Sequence, residues 1–366
     1  MTSAEPYAPP APSTSTAPAG LVRWGIIGPG EIAHRFAGGL AASRSATLVA
    51  AASRDADRAG AFLDTHAAAV RTGHATAYGS YDALLADSNV DAVYVATTHP
   101  QHARWAIATT EAGKHLLVEK PASLNAHMAA TIFEAARMHD VFAMEAYVYR
   151  SHPYTHRIAE LVRDGAVGRV LSVEVSFTFA APFDPSSRLF DRTLAGGAIL
   201  DVGGYPVSFA GMVAGASLAA DDGAIAFAEP TSIRAGGTLG ETGVDEWAIA
   251  DLVYANGMSA HLTTGLGVAG ANTARIAGTA GYLDVPTPWL PPEGQDGILR
   301  LHRVRRDVEE IRIERGNLYA IEADEIADHL ADRESPTMSW ADSLANLRVM
   351  DAWRDQLGLR YDDEAV

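Results

Sequence analysis

Cysteine is absent from the 366 residues, which excludes disulfides, a cysteine nucleophile, thiolate metal sites and iron–sulfur clusters. Positive charge is scarce: 28 Lys and Arg stand against 45 Asp and Glu, a formal charge of −17. Such a field repels phosphate backbones, so nucleic acid is not an expected partner. Long apolar runs are missing too. No stretch reads as the roughly 18 uncharged apolar residues of a membrane span, so no membrane partner is expected. What remains, 48% hydrophobic and 20% charged, is a globular composition with room for about two domains. An anionic ligand must then be held by a local set of donors.

Residues 1–20 are rich in Ala, Pro, Ser and Thr, with one acid and no base. They read as a disordered tail. The charged start and apolar centre of a signal peptide are missing, as is a twin arginine, and a cytoplasmic location is expected. From residue 21 to 145, strand-like runs at Leu21–Ile27, Thr47–Ser53, Val90–Ala96 and His115–Glu119 alternate with helical stretches. That alternation implies a doubly wound α/β domain with a parallel sheet. Residues 146–366 read differently. Leu171, Val173, Val175, Phe177 and Phe179 alternate with polar residues, and Glu246–Leu266 reads as a hairpin turning at Asn256-Gly257. The second domain is therefore expected to be α+β, with an open, mostly antiparallel sheet whose more polar face is solvated or forms a wet subunit interface. Leu318–Ala331 and Trp340–Leu357 read as helices.

Gly28-x-Gly30-x-x-Ala33 stands where the first strand meets the first helix. Gly28 permits the tight turn, Gly30 lets a pyrophosphate approach, and Ala33 allows close helix–strand packing. The free N–H groups of Glu31 and Ile32 then hold the anion without a cation. An acid binding the ribose 2′-hydroxyl is expected at the end of the second strand, but the chain there is Ser53-Arg54-Asp55. Ser53, Arg54 and Arg58 suit a 2′-phosphate, which favours NADP; Arg54 stacking on adenine, with Asp55 beside it, keeps NAD open. The lack of an acid in that position also argues against a methyltransferase.

Lys120, in Glu119-Lys120-Pro121, ends a parallel strand and so points into the ligand crevice. Asp201 and Tyr205 are spaced to share a helix face, an inference that Gly203, Gly204 and Pro206 loosen. An Asp and a Tyr beside a Gly-rich turn are as readily capping and packing residues. With Lys120 they make a proton-transfer set: Tyr205 exchanges the substrate hydroxyl proton, Lys120 lowers the phenol's pKa, and Asp201 orients substrate or lysine. His99 with His102, and His152 with His156, lack a third metal ligand, so no metal is expected.

The glycine cradle, Glu119-Lys120-Pro121 and the Gly196–Pro206 segment together resemble the Gfo/Idh/MocA oxidoreductases. Ser187–Asp191 is most similar to the branch containing dimeric dihydrodiol dehydrogenase and NADP-dependent D-xylose 1-dehydrogenase. The resemblance covers roughly Val22 to Leu357. It implies a Rossmann domain, an open-sheet domain, and hydride transfer on a sugar, sugar derivative or cyclic polyol. Lys120 and Tyr205 carry over as catalytic, with Asp201 beside them. Thr97, Thr98, His99 and His102 match a cofactor-edge loop, with His102 at the nicotinamide ribose. Glu119 and Arg150 carry over as cofactor-binding, and Tyr149 and Arg188 as substrate-binding. Val148 stands where the dihydrodiol branch usually has an aromatic, which argues against an aromatic diol. A non-catalytic dinucleotide sensor, or a lyase or hydrolase using a tightly bound NAD(P) transiently, are the alternatives.

Overall fold

The computed structural model describes residues 20–219, 227–289, 291 and 295–364; apart from Gly20, the expected tail lies outside them. Six parallel strands form the first sheet: β1 (Val22–Ile27), β2 (Ala46–Ala52), β3 (Thr76–Tyr78), β4 (Ala92–Val95), β5 (His115–Glu119) and β6 (Ala143–Ala146). Their order is β3-β2-β1-β4-β5-β6, so the strand order reverses between β1 and β4 and opens a crevice at the strands' carboxyl ends. Helices α1 (Glu31–Ala42), α2 (Ala56–Thr65), α3 (Tyr81–Leu85), α4 (His102–Glu111) and α5 (Ala126–Met138) make the crossovers. β1, β2 and β4 are buried almost throughout, as strands covered on both faces must be. The short β3 and β6 carry too few apolar residues to stand out in the sequence.

After α6 (Pro153–Arg163), β7 (Val170–Thr178) leads into an eight-stranded sheet. Its later strands are β8 (Ser232–Leu239), β9 (Asp245–Val253), β10 (Ser259–Gly265), β11 (Ala274–Gly278), β12 (Gly281–Val285), β13 (Gly297–Arg303) and β14 (Glu309–Ile313). The order is β14-β13-β12-β11-β7-β10-β9-β8. Only the β7–β10 pair is parallel. The expected hairpin forms β9 and β10, with Gly257 at φ +81° in its turn. One sheet face is covered by helices; the other carries polar pairs such as His261–Asp251 at 2.7 Å. The alternation along β7 is imperfect: Leu171 is 40% exposed at the strand's start, and Thr178 is buried at its end.

The long helix α7 (Gly204–Leu218) is buried along most of its length, packed on β7 and β10 and against α6 and α9. Together with the turns before it, residues 192–218 have the length and composition of a membrane span, contrary to expectation, but 94% of the apolar window is buried within the protein. It is a core helix.

Two C-terminal helices, α8 (Leu318–His329) and α9 (Trp340–Leu357), complete the chain. α8 returns to the first half of the molecule. Asp324 accepts hydrogen bonds from the hydroxyls of Ser43 (2.6 Å) and Ser45 (2.5 Å) and from the Arg44 N–H (3.1 Å), just past α1. Bonds to a charged group are worth roughly 1.5–3 kcal/mol each. The helices touch so closely at Gly39 that a Cβ there would lie 2.3 Å from that of Tyr319. The last strand of the first sheet, β6, runs one residue past the expected boundary at 145, and α8 packs back on α1.

Candidate active site

The carboxyl ends of β1, β4, β5 and β6 bring the expected segments to one mouth. Gly28 adopts φ +83°, and a Cβ on it would sit 2.7 Å from the Ala96 carbonyl oxygen. At Gly30, by contrast, a Cβ would meet only the Gly28 carbonyl oxygen, at 4.0 Å, and α1 begins there without a side-chain cap. The first-turn N–H groups of Glu31 and Ile32 are therefore left to an external acceptor. In the next loop the Thr97 hydroxyl is buried without a partner. An uncapped helix start, a glycine that keeps its approach clear and an orphaned hydroxyl are what a bound dinucleotide requires, and the residues fit one.

At the adenosine end, Arg54 is exposed and Ser53 is 5% exposed. Arg58 donates to the Pro29 carbonyl at 3.1 Å and lines a cleft of about 310 Å³ with Gly30, Glu31 and His34. Asp55 caps α2 by accepting the Asp57 N–H at 2.9 Å, which commits its carboxylate to the helix rather than to a ribose.

Lys120 follows β5, with a cis peptide to Pro121. Its ammonium donates to the Asp201 backbone carbonyl at 2.5 Å, lies 3.8 Å from the Asp201 carboxylate, and stands 5.5 Å from the Tyr205 ring centre. Asp201 also accepts from Arg188 at 2.8 Å, whose side chain is 57% exposed at the mouth. The carboxylate thus bridges two cations. Desolvation opposes them, yet Lys120 and Arg188 keep its pKa below the usual aspartate range.

Asp201 lies on a π turn, Ile199–Gly203, rather than in a regular helix. The wide turn is compatible with Gly203, Gly204 and Pro206, which weaken α-helical geometry. Asp245, which sequence reasoning missed, holds it: its Oδ2 accepts the Ile199 N–H at 2.7 Å, and burial pushes its pKa to about 7.

Around Tyr205 stand Tyr147 (5.1 Å between ring centres), Phe177 (5.1 Å), Trp289 (5.5 Å) and Tyr149 (5.7 Å). The phenol has no hydrogen-bond partner among the described residues, so it is open to a substrate. Burial raises its pKa well above the usual tyrosine value, and Glu119, Tyr319, Asp201 and Glu322 add to that. This reverses the expectation that Lys120 would lower it.

Five other expected site residues turn to structural partners. Arg150 is fully buried and donates to Asp342 at 2.7 Å and to Ser208 at 3.2 Å, so it is a structural ion pair rather than a cofactor contact. The Tyr149 hydroxyl is committed to Ser208 at 2.8 Å; its ring buttresses Tyr205 instead of reaching substrate. His102 is 1% exposed, with Nδ1 at 2.7 Å from the Pro121 carbonyl and Nε2 at 3.1 Å from the Thr97 carbonyl. Burial lowers its pKa, and a neutral imidazole donates to only one of the two carbonyls; the ring, nearly without exposure, joins the Thr97 loop to the Lys120 turn. Glu119 likewise turns inward, accepting from the Tyr94 hydroxyl and from the Lys120 N–H at 3.1 Å. His99 is a tie between the halves, bonded to the Ala195 carbonyl at 3.0 Å and held neutral by burial. Among the described residues no cluster of three metal-ligating side chains occurs.

Comparison with known proteins gives matches over both halves of the chain. Residues 22–147 match the model of the GFO/IDH/MocA oxidoreductase family, NAD-binding Rossmann fold, and residues 155–284 match the GFO/IDH/MocA C-terminal domain. Trans-1,2-dihydrobenzene-1,2-diol dehydrogenase of Xenopus laevis is 32% identical over 345 residues, covering 93% of this chain and 99% of that one. D-xylose 1-dehydrogenase (NADP(+)) 2 of Haloferax volcanii is 33% identical over 303 residues, 83% of this chain and 87% of the other. Among solved structures, KijD10, a 3-ketoreductase from Actinomadura kijaniata in complex with NADP and TDP-benzene, superposes with a TM-score of 0.78 at 28% identity. That match covers 92% of this chain and 98% of KijD10.

Proposed function

This chain belongs to the GFO/IDH/MocA oxidoreductase family, and we propose that it exchanges a hydride between NADP and a carbinol or carbonyl carbon of a sugar, sugar derivative or cyclic polyol. The observation that carries the reading is the convergence of Lys120, from the first half, and Tyr205, from the second, at 5.5 Å beside the glycine cradle. When bound, the nicotinamide gives or takes the hydride; the chain orients the partners and handles one proton.

Tyr205, its pKa raised, is a protonated phenol at neutral pH and suits donation to the oxygen of a carbonyl undergoing reduction. The Lys120 ammonium, steered by the Asp201 carbonyl and carboxylate, supplies positive charge and a hydrogen bond where that oxygen becomes negative. Arg188 presents a second cation at the mouth for a substrate hydroxyl or other acceptor. The aromatic wall of Phe177 and Trp289, stacked at 5.4 Å, packs against the phenol and excludes water from its apolar side.

Arg54 and Arg58, with Asp55 occupied as a cap, support NADP over NAD, and two of the relatives are named with NADP. The same reading places the enzyme in the cytoplasm as a homodimer or homotetramer joined through the open sheet face. On that face Trp247 (36% exposed) and Val253 (43% exposed) lie among the polar pairs.

Turnover of a sugar and polyol panel, read at the NADPH absorbance, tests the assignment. Lys120→Ala and Tyr205→Phe are each expected to lower kcat by about 10²–10⁴-fold, with much smaller effects on NADP affinity. Unchanged turnover in both rejects it. Arg54→Ala should weaken NADP by about tenfold or more and NAD by much less; equal losses would make Arg54 an adenine-stacking residue.

A further inference from the structure

Glu145 is a buried carboxyl that this reaction scheme leaves unused. It lies on β6 with none of its surface exposed, and the parallel register sets it beside Val118 on β5, just before Lys120. Its Oε1 reaches past the end of β5 and accepts the Ala122 N–H at 2.8 Å. Ala122 is fully buried as well, so that N–H has no solvent to turn to.

The turn that carries Lys120 belongs to no helix or strand: β5 ends at Glu119 and α5 begins at Ala126. Pro121 has no N–H, so the backbone donors on either side of it are those of Lys120 and Ala122. Carboxyl groups take both. Lys120 N–H donates to Glu119 Oε2 at 3.1 Å, and Ala122 N–H donates to Glu145. Between them the Pro121 carbonyl oxygen lies 2.7 Å from His102 Nδ1. β5 runs between β4 and β6. His102 therefore meets the turn from the β4 side, and Glu145 holds it from the β6 side. A lysine ammonium ends a flexible four-carbon stem. Its head is fixed by the Asp201 carbonyl at 2.5 Å; its foot is fixed only as well as this turn. Displacing a reacting group by about 1 Å costs on the order of 10²-fold in rate.

We propose that Glu145 is a positioning residue for Lys120: by accepting the Ala122 N–H from the neighbouring strand, it fixes the turn from which the ammonium reaches the reacting oxygen. The inference rests on the assignment of Lys120 above. Glu145 acts through the backbone, and what it supplies is an acceptor of the right reach. Burial pushes its pKa up to about 7, and a carboxyl oxygen accepts in either protonation state. An uncharged Gln is therefore an adequate substitute.

The test combines kcat on the most active member of the sugar and polyol panel, NADP titration by tryptophan fluorescence, and thermal unfolding to confirm that each variant folds. Glu145→Leu is expected to lower kcat by about 10²-fold, with NADP affinity kept within about threefold. Glu145→Gln, which keeps the acceptor, should hold kcat within about threefold of the wild type. In a Lys120→Ala background, Glu145→Leu should cost less than about threefold more, because the side chain it positions is gone. A merely structural role gives losses that multiply in the double variant, or NADP affinity that falls in step with kcat; either result overturns the proposal. So does a Glu145→Gln loss as large as that of Glu145→Leu, or a Glu145→Leu kcat close to the wild-type value. Should Glu145→Leu not fold, Glu145→Asp decides. Its carboxyl falls one methylene short of Ala122 and should lower kcat by about tenfold or more; wild-type turnover would overturn the proposal. Failure of the Lys120 assignment has a separate signature, unchanged turnover in Lys120→Ala alone.

Discussion

Asp245 couples the stability of the molecule to the geometry of its active site. Its carboxyl is fully buried, accepts the Ile199 N–H that starts the π turn, and leaves Oδ1 unpaired. Burial raises its pKa from 3.8 to about 7. The folded state therefore binds this proton more tightly than the unfolded state. Its contribution is full below about pH 4, declines as pH rises, and is lost above about pH 7. Complete loss amounts to about 4 kcal/mol, at roughly 1.4 kcal/mol for each tenfold change in proton affinity. Asp245→Asn removes the titration while keeping an acceptor for the Ile199 N–H. Between pH 5.5 and 8.5 the variant should gain about 2 kcal/mol on the wild type, or about 3 °C in Tm for a chain of 366 residues. Thermal unfolding of both proteins across that range reads the difference directly. Parallel pH profiles would refute the reasoning, because they would mean that this carboxyl titrates alike in the folded and unfolded chains.

The glycine cradle separates folding from binding. Gly28→Ala forces φ +83° on a residue with a Cβ and drives that carbon to 2.7 Å from the Ala96 carbonyl oxygen, which should cost about 1–3 kcal/mol of stability as well as affinity. Gly30→Ala places its Cβ no closer than 4.0 Å, from the Gly28 carbonyl oxygen; it should leave Tm unchanged or slightly raised and weaken NADP, and a variant that binds normally would contradict the assigned approach. Arg150→Met strands the Asp342 carboxylate in the interior and should cost about 3–5 kcal/mol in denaturant unfolding; a loss below about 1 kcal/mol would show that the pair carries little.

The parallel domain was legible because its evidence is local. Gly28 and Gly30 lie beside the strand they terminate, Lys120 directly follows another, and apolar runs bracketed by helices imply the crevice that gathers them. The hairpin at Asn256-Gly257 was legible for the same reason. Arg150 and Tyr149 were misplaced because their partners, Asp342 and Ser208, are 192 and 59 residues away. No spacing rule says that such side chains turn inward. His102 was placed on the correct loop, but the direction of its ring depends on the carbonyls of Thr97 and Pro121, which only the packed loops bring within reach.

The acid–base chemistry shows the same limit most sharply. From the sequence, the one cation expected beside Tyr205 was Lys120, and a lowered pKa followed. In the folded chain the ammonium lies over the ring face at 5.5 Å and spends a hydrogen bond on the Asp201 carbonyl. Meanwhile burial and the charges of Glu119, Tyr319, Asp201 and Glu322 act on the hydroxyl in the opposite sense. Two of those four residues, Tyr319 and Glu322, belong to a segment that no motif connected with the phenol: they lie on a helix that returns from the C-terminus. Packing thus sets the direction of the shift and strengthens the preference for the neutral phenol that a tyrosine already has at neutral pH. With the phenol neutral, the site is prepared to give a proton, and taking one from a substrate hydroxyl requires the nearby ammonium to offset the acids around it.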